Sequence, residues 1–410
     1  MHRAHLAAAQ PHSRQVRAAR QRARYQLQEV SEHEGRQSGS DLRRGHRCRR
    51  HVIGHQTRER HGDFDPSIMI YNKHGEVVII GLYVDDSLVL RTHDGPGSHF
   101  AKVKAEFFKR WKATQSDRIT DFLGVQFERD GDRIKLHQQA KYIEKLVKKY
   151  LPQGGAKVLH KNKAPAAQDL AQVISDAQCQ EAVPDSGLLR RYQSLVGALL
   201  YCAVSTRPDV SYAVAMLCRA MSKPTQPAYD AAVRVLAYLD NHRHLGLTYE
   251  AGSAPLHGFS DASWEVRHST SGWLYKWQSA AISWGSKRQP CVALSSCEAE
   301  IIAASEATKE AVFLRRLLAE LGFDDETATN LYVDNKAAID LAYNPEHHSK
   351  TKHIERRHFF VREKVEDHEI CVPFVKTVDN LADFFTKALD PAKFWPMRDA
   401  IMNVPERRSA

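Results

Sequence analysis

Four carboxylates punctuate the last third of the 410-residue chain. They are Asp261 in SDASW, Glu300 in SSCEAE, Asp334 in LYVDN and Asp383 in NLAD. Each falls where a strand ends or a helix begins. Hard divalent cations take oxygen ligands. A metal pair about 4 Å apart stabilises both the attacking and the leaving oxygen of an in-line displacement at phosphorus. Acids distant in sequence but fixed to rigid elements are the donors such a site requires. A further pair, Asp85-Asp86 in GLYVDDSLVL, sits at a hairpin tip between apolar strands and suits a metal site for nucleotidyl transfer. Taken singly, most of these acids have an ordinary explanation. Asp334 could cap a helix, Glu300 could favour a helix dipole, and Asp85-Asp86 could be a plain turn. Asp261 is harder to explain away, because a carboxylate in a central strand is costly unless it is paired or bound to metal.

The elements that must hold these side chains can be read from hydrophobic periodicity. In residues 255–390 the pattern gives strands over 256–264, 272–277 and 280–285, a long helix over 296–321 and a strand over 330–334. Helices over 336–343 and 349–365, a strand over 369–375 and a helix over 379–389 follow. Three strands and then alternating helices and strands predict an α/β sandwich around a mixed sheet. On the long helix, Ala304, Ala307, Ala311, Leu314, Leu318 and Leu321 follow steps of three and four, which is one core-facing stripe. Glu300 lies on that stripe. Glu298 lies about 200° away around the helix, so Glu300 is the acid expected to reach a central strand.

Upstream, strands are expected over 67–71, 76–83 and 88–90, with a helix over 97–111. A hairpin made of FLGVQFER and IKLHQ and a helix over 141–150 follow. Residues 152–187, rich in Ala, Gln, Gly and Pro, read as a linker, and 188–245 as mostly helical. The basic stretch HHSKTKHIERRHFFVR offers Lys350, Lys352, His353, Arg356 and Arg357 to backbone phosphates. His348, His353 and His358 are five apart, which argues against a helical zinc site.

Composition narrows the classes. The formal charge is +10, yet residues 1–60 hold 14 Arg, no Lys and 5 acids, so nearly all of the excess lies there. That segment has neither helical nor strand periodicity, and disorder with a shifted reading frame is the expectation for residues 1–61. The seven cysteines show no CxxC spacing, which fits a reducing compartment. No apolar run approaches a membrane span, so no membrane partner is expected.

As an ordered set, these motifs resemble the C-terminal part of a copia-type LTR-retrotransposon Pol polyprotein over residues 62–395. GLYVDDSLVL resembles the reverse-transcriptase palm hairpin and DFLGVQFER the primer-gripping motif. RYQSLVGALLYCAVSTRPDVSYAV resembles the segment joining polymerase to ribonuclease H. GFSDASW, SSCEAEIIAASEATKEAVFLRRLL, LYVDNKAAI, KTKHIERRHFFVRE and NLADFFTKAL resemble the ribonuclease H domain in order.

The resemblance implies a fold of α+β and α/β class. A partial palm over 62–151 and a linker with a helical thumb or connection region over 152–254 come first. A ribonuclease H-like mixed five-stranded sheet with helices on both faces covers 255–390, and a tail 391–410. It implies Mg²⁺, with Mn²⁺ as the alternative, on Asp261, Glu300, Asp334 and Asp383, and on Asp85 and Asp86. It implies RNA·DNA hybrid and template-primer as partners, along with other Pol or Gag products, in virus-like particles of the cytoplasm or in the nucleus. Two departures stand out. The first palm carboxylate is missing upstream, so polymerase activity is not expected. The loop Lys376-Thr377-Val378-Asp379 lacks the His that many ribonuclease H enzymes place before the last acid. The opposing reading is a degenerate remnant that binds nucleic acid without catalysis.

Overall fold

The computed structural model describes residues 60–61, 65, 67–93, 95–110, 112–116, 118–264, 268–323, 326–343 and 355–405. The Arg-rich segment up to residue 59 lies outside the described residues. Contacts divide the chain into two units, Met1–Thr114 and Gln115–Ala410.

The first unit is an antiparallel sheet of β1 (Arg60–His61), β2 (Ile68–Lys73), β3 (Glu76–Tyr83) and β4 (Asp86–Arg91), paired in that order. Helix α1 (His99–Arg110) follows. The β3–β4 turn is two residues long, since Tyr83 pairs with Asp86, and Val84 adopts φ 53° there. Asp86 is therefore a strand residue and Asp85 a turn residue; both are exposed.

The second unit opens with β5 (Asp121–Phe122), β6 (Val125–Asp130) and β7 (Arg133–Gln138), then α2 (Ala140–Tyr150). The β5–β6 turn is fixed by Gly124 at φ +79°. A Cβ there would lie 2.1 Å from the hydroxyl of Tyr201, which donates to Leu123 O at 2.9 Å. The stretch expected to be a linker instead carries α3 (Gly155–Val158) and α4 (Leu170–Cys179), with Leu159, Leu170, Ile174 and Ala177 buried. Helices α5 (Ser186–Ser205), α6 (Ser211–Cys218) and α7 (Gln226–Asn241) complete a helical layer. Side chains of α7 hold the supposed linker in place: Asp240 accepts from Gly155 N at 2.7 Å and Asn241 donates to Leu159 O at 2.7 Å. Strand β8 (Gly246–Tyr249) then pairs with β7, so the β6–β7 hairpin is closed by residues that follow the helices.

A wholly buried ion pair pins this layer. Arg207 grips Asp209 through two hydrogen bonds of 2.9 and 2.7 Å and donates to His242 O, and the Tyr238 hydroxyl donates to Asp209 at 2.8 Å. The Arg207 guanidinium holds the Asp209 carboxyl below its ordinary range despite burial.

The remaining strands are β9 (His257–Ser263), β10 (Thr270–Trp277), β11 (Ala280–Arg288), β12 (Thr329–Tyr332) and β13 (Ile370–Cys371). They form one mixed sheet in the order β11-β10-β9-β12-β13, with antiparallel β9–β10–β11 and parallel β12 and β13. This is the mixed five-stranded sheet expected of a ribonuclease H-like fold. Successive residues of β10 feed opposite cores. Leu274 joins the cluster of the helical layer, whereas Trp273 and Tyr275 pack with α8 (Ser296–Glu320), α9 (Lys336–Tyr343) and α10 (Glu355–Glu366). Two expectations are corrected at the C-terminus. The helix over 379–389 is replaced by two short 3₁₀ segments, Thr377–Asp379 and Leu381–Phe385. The presumed tail contains α11 (Pro391–Met402), which buries Phe394, Met397, Ile401 and Met402. No helix among the described residues is long and apolar enough to cross a membrane.

Removing one partner of the buried pair leaves the other charge uncompensated. Asp209→Ala is expected to lower unfolding free energy by about 3–5 kcal/mol, measured by urea denaturation. Glu144→Ala, which removes a half-exposed pair with Arg243, is expected to cost no more than about 1 kcal/mol.

Candidate metal centre

Parallel pairing of β12 with β9 ends at Tyr332 opposite Phe259. Two residues beyond that last pair stand Asp334 on one strand and Asp261 on the other, in register and, by the period of two, on one face. Asp261 is still held by β10, where it pairs with Gly272. Glu300 enters from the first turns of α8. Carboxylate oxygens of Asp261, Glu300 and Asp334 all lie within 4.8 Å of one another, the only such group of three or more metal-ligating side chains among the described residues.

The choice between the two glutamates is resolved by capping. Ser295 accepts from Glu298 N at 3.1 Å, and Glu298 Oε2 accepts from Leu294 N at 2.6 Å. This is a variant of the S-x-x-E reciprocal cap, in which the glutamate reaches the N–H one residue before the N-cap Ser295. Glu298 is buried, contrary to a simple reading of the helical stripe, but it serves the helix end. Glu300 is 7% exposed, accepts from the backbone N–H of Ala262, and its Oε2 has no hydrogen-bond partner among the described residues.

Asp383 stands beside this group without joining it. It lies on the 3₁₀ segment, 2% exposed, and pairs with Lys387 Nζ at 2.8 Å. Three features seat that segment. Asn380 accepts from Ala382 N at 3.1 Å and donates to Ser260 O at 3.0 Å, which ties the turn to β9 next to Asp261. Thr386 donates its hydroxyl to Asp261. Gly272 makes room: a Cβ there would lie 2.6 Å from Thr386 Cγ2 and 3.0 Å from Ala382 O. The sequence reading missed Asn380, Thr386, Lys387 and Gly272. The signal for Asn380, Thr386 and Lys387 was the NLADFFTK stretch, in which they flank the acid within four residues; Gly272 carried no such signal.

Electrostatics follow from crowding acids in a dry place. Burial and then the charges of Asp261 and Asp334 push Glu300 up to about 9. Burial and then Asp383 push Asp261 up to about 7, opposed by Lys387 and the Thr386 hydrogen bond. Lys387 is itself raised, because the acids around it outweigh its desolvation. A site that holds protons for want of positive charge is chemically suited to a divalent cation, and the all-oxygen donors suit a hard one.

The other anticipated site residues are not gathered here. No third carboxylate joins Asp85 and Asp86 among the described residues. Lys350, Lys352 and His353 lie outside the described residues, and Arg356 and Arg357 are described only as part of α10. Later basic residues of α10 serve the fold: Arg362 donates to Leu341 O at 3.0 Å, and Lys364 pairs with Asp367 and Glu369 at 2.8 and 3.1 Å.

No protein-family model matches the chain. It is similar to the retrovirus-related Pol polyprotein from transposon TNT 1-94 of Nicotiana tabacum, 34% identical over 77% of this chain and 24% of that protein. It is also similar to the corresponding polyprotein from transposon RE2 of Arabidopsis thaliana, 30% identical over 80% of this chain and 22% of that one. The chain thus spans about a quarter of the length of these relatives. Among solved structures, a ribonuclease H1 of Halobacterium salinarum overlaps 32% of this chain and 95% of its own, with 16% identity and a TM-score of 0.25.

The raised acids dictate a pH dependence. The folded chain holds a proton on Glu300 that the unfolded chain releases as pH rises above the ordinary glutamate range. In the absence of divalent cation, stability is therefore lost between that range and about pH 9. Glu300→Gln removes this loss. In EDTA at pH 8 the variant is expected to be more stable than wild type by at least about 1.4 kcal/mol, with no advantage at pH 4, as measured by thermal or urea melts.

Proposed function

We propose, for a chain that belongs to the retrovirus-related Pol polyproteins of copia-type transposons, that residues 255–390 hydrolyse the RNA strand of RNA·DNA hybrids. The observation that carries this reading is the group formed by buried Asp261 and Glu300 and half-buried Asp334 at the end of the mixed sheet. These three carboxylates would hold divalent cations, Mg²⁺ or Mn²⁺, with Asp383 at the margin. Bound there, the cations supply activation of the attacking water and stabilisation of the leaving 3′ oxygen.

The chain's own groups do the rest. Asp261 accepts the Thr386 hydroxyl hydrogen bond, which fixes the orientation of its carboxylate. Lys387 holds Asp383 and tempers the negative field. Asn380 keeps the segment with Asp383 against β9. Lys350, Lys352, His353, Arg356 and Arg357 are assigned to backbone phosphates, and the hybrid is selected by its shape and the RNA 2′-hydroxyl rather than by base sequence.

Residues 62–151 are read as the end of a reverse-transcriptase palm with its primer-gripping hairpin, and 152–254 as a thumb or connection region. Asp85 and Asp86 correspond to palm metal ligands. With no further carboxylate beside them among the described residues, DNA synthesis by this chain is not part of the proposal. Template-primer and other Pol or Gag products remain proposed partners.

The test is incubation of the full chain with a labelled RNA·DNA hybrid and Mg²⁺. Wild type is expected to cut the RNA strand, and Asp334→Asn to lower the rate by at least about 100-fold. Binding of hybrid without cutting by wild type would favour a nucleic-acid-binding remnant, and equal cutting by Asp334→Asn would remove the cluster from the mechanism.

A further inference from the structure

Asp383 is the acid that the group of Asp261, Glu300 and Asp334 leaves out, and it is the one a lysine holds. Lys387 Nζ stands 2.8 Å from Asp383 Oδ1, four residues on along the chain. The two side chains differ sharply in exposure, 3% for Asp383 and 44% for Lys387. The carboxylate is fixed in the interior, whereas the ammonium reaches it from a half-exposed position. The backbone beneath Lys387 is not free to move. Phe384 and Phe385 lie in the core of the helical layer, and the buried Thr386 donates its hydroxyl to Asp261. Two neighbouring residues thus serve two different acids, Thr386 on Asp261 and Lys387 on Asp383. Only the lysine side chain, a flexible stem with a compact charge at its end, can leave without disturbing the segment.

The charge of Lys387 reaches past its partner. It favours the ionised forms of Asp261 and Glu300 against burial and crowding. Its own ammonium is favoured in turn by Asp261, Asp383 and Asp334. One side chain therefore answers four acids from a single position. A divalent cation on Asp383 would answer the same charges from nearly the same place. An ammonium and a divalent cation cannot share one carboxylate at contact distance without strong mutual repulsion.

We propose that Lys387 is a built-in, displaceable counter-cation that guards Asp383. The site takes its first divalent cation on Asp261, Glu300 and Asp334, and a second only by swinging Lys387 off Asp383. The lysine thereby sets the order in which the site is loaded, and Asp383 becomes a ligand only when a cation outcompetes the ammonium. This assignment rests on the reading of the acid cluster as a cation site and adds to it the residue that controls its second position.

The experiment counts Mn²⁺ bound to the full chain at fixed pH from the loss of the free-ion electron paramagnetic resonance signal, with melting temperatures taken alongside. Wild type is expected to bind one Mn²⁺ more tightly and a second more weakly. Lys387→Met keeps the stem and removes the charge, and is expected to tighten the second site by about 5- to 30-fold, the range for losing one competing charged contact. Lys387→Arg restores the guard and the wild-type gap between the two sites. In Asp383→Asn the second site is expected to be lost, and adding Lys387→Met does not recover it, because the lysine acts through that acid. Without metal, Lys387→Met is expected to melt below wild type, since the acids lose their counter-charge. Saturating Mn²⁺ closes that deficit, because ligand bound to the folded state adds stability. A lysine with a merely structural role would leave the deficit in place at every Mn²⁺ concentration. Equal second-site affinity in Lys387→Met and wild type would overturn the assignment, as would recovery of the second site by Lys387→Met in the Asp383→Asn background. A wild-type chain that binds no Mn²⁺ would refute the cation reading and the guard with it. Mn²⁺ binding that ignores Lys387→Met would refute the guard alone.

Discussion

Mutual repulsion of buried carboxylates is the constraint around which the second unit is built. Asp261, Glu300 and Asp334 converge from a central strand, a helix and the end of a second strand, the first two buried and the third half-buried, so little water reaches them. Without a cation, the cluster holds protons on Glu300 and Asp261 and draws on Lys387 for positive charge. Such an arrangement opposes folding, so the surrounding structure must hold it in place. That is the pattern expected where local stability is sacrificed for a site.

The support comes from both faces of one sheet. On one face, α8 is anchored through Ala307, Ala311, Leu314 and Leu318, and its reciprocal cap fixes where the helix begins and hence where Glu300 projects. On the other, Phe384 and Phe385 join the core of the helical layer, so the turn carrying Asp383 is wedged between that layer and β10. The bare Cα of Gly272 lets this wedge approach. The helical layer is thus part of the framework of the site, and the buried Arg207–Asp209 pair contributes to it at a distance.

Much of this was legible in residue order. Periodicity gave the strands and the long helix to within a few residues, because each element buries one continuous stripe. The acids were legible because each adjoins a recognisable element boundary. What escaped detection depends on distant partners. Residues 152–187 look like a linker because their few apolar residues are scattered, and their order comes from Asp240 and Asn241 of α7, more than eighty residues away. Helix α11 was obscured by Pro396, which argues against a helix interior, although Asp390 and Pro391 form a proper start. Lys387 and Asn380 carry no periodic signal, and only the folded turn reveals that one faces the acids and the other ties down a strand.

The account stands or falls on whether the acid cluster exchanges its protons for a cation. Calorimetric titration of Mn²⁺ or Mg²⁺ into the full chain near pH 7, repeated in buffers of different ionisation enthalpy, counts the protons released. The account predicts cation binding with release of about one proton, and weaker binding with less release for Glu300→Gln. Absence of cation binding, or binding without proton release and unchanged in Glu300→Gln, would contradict it.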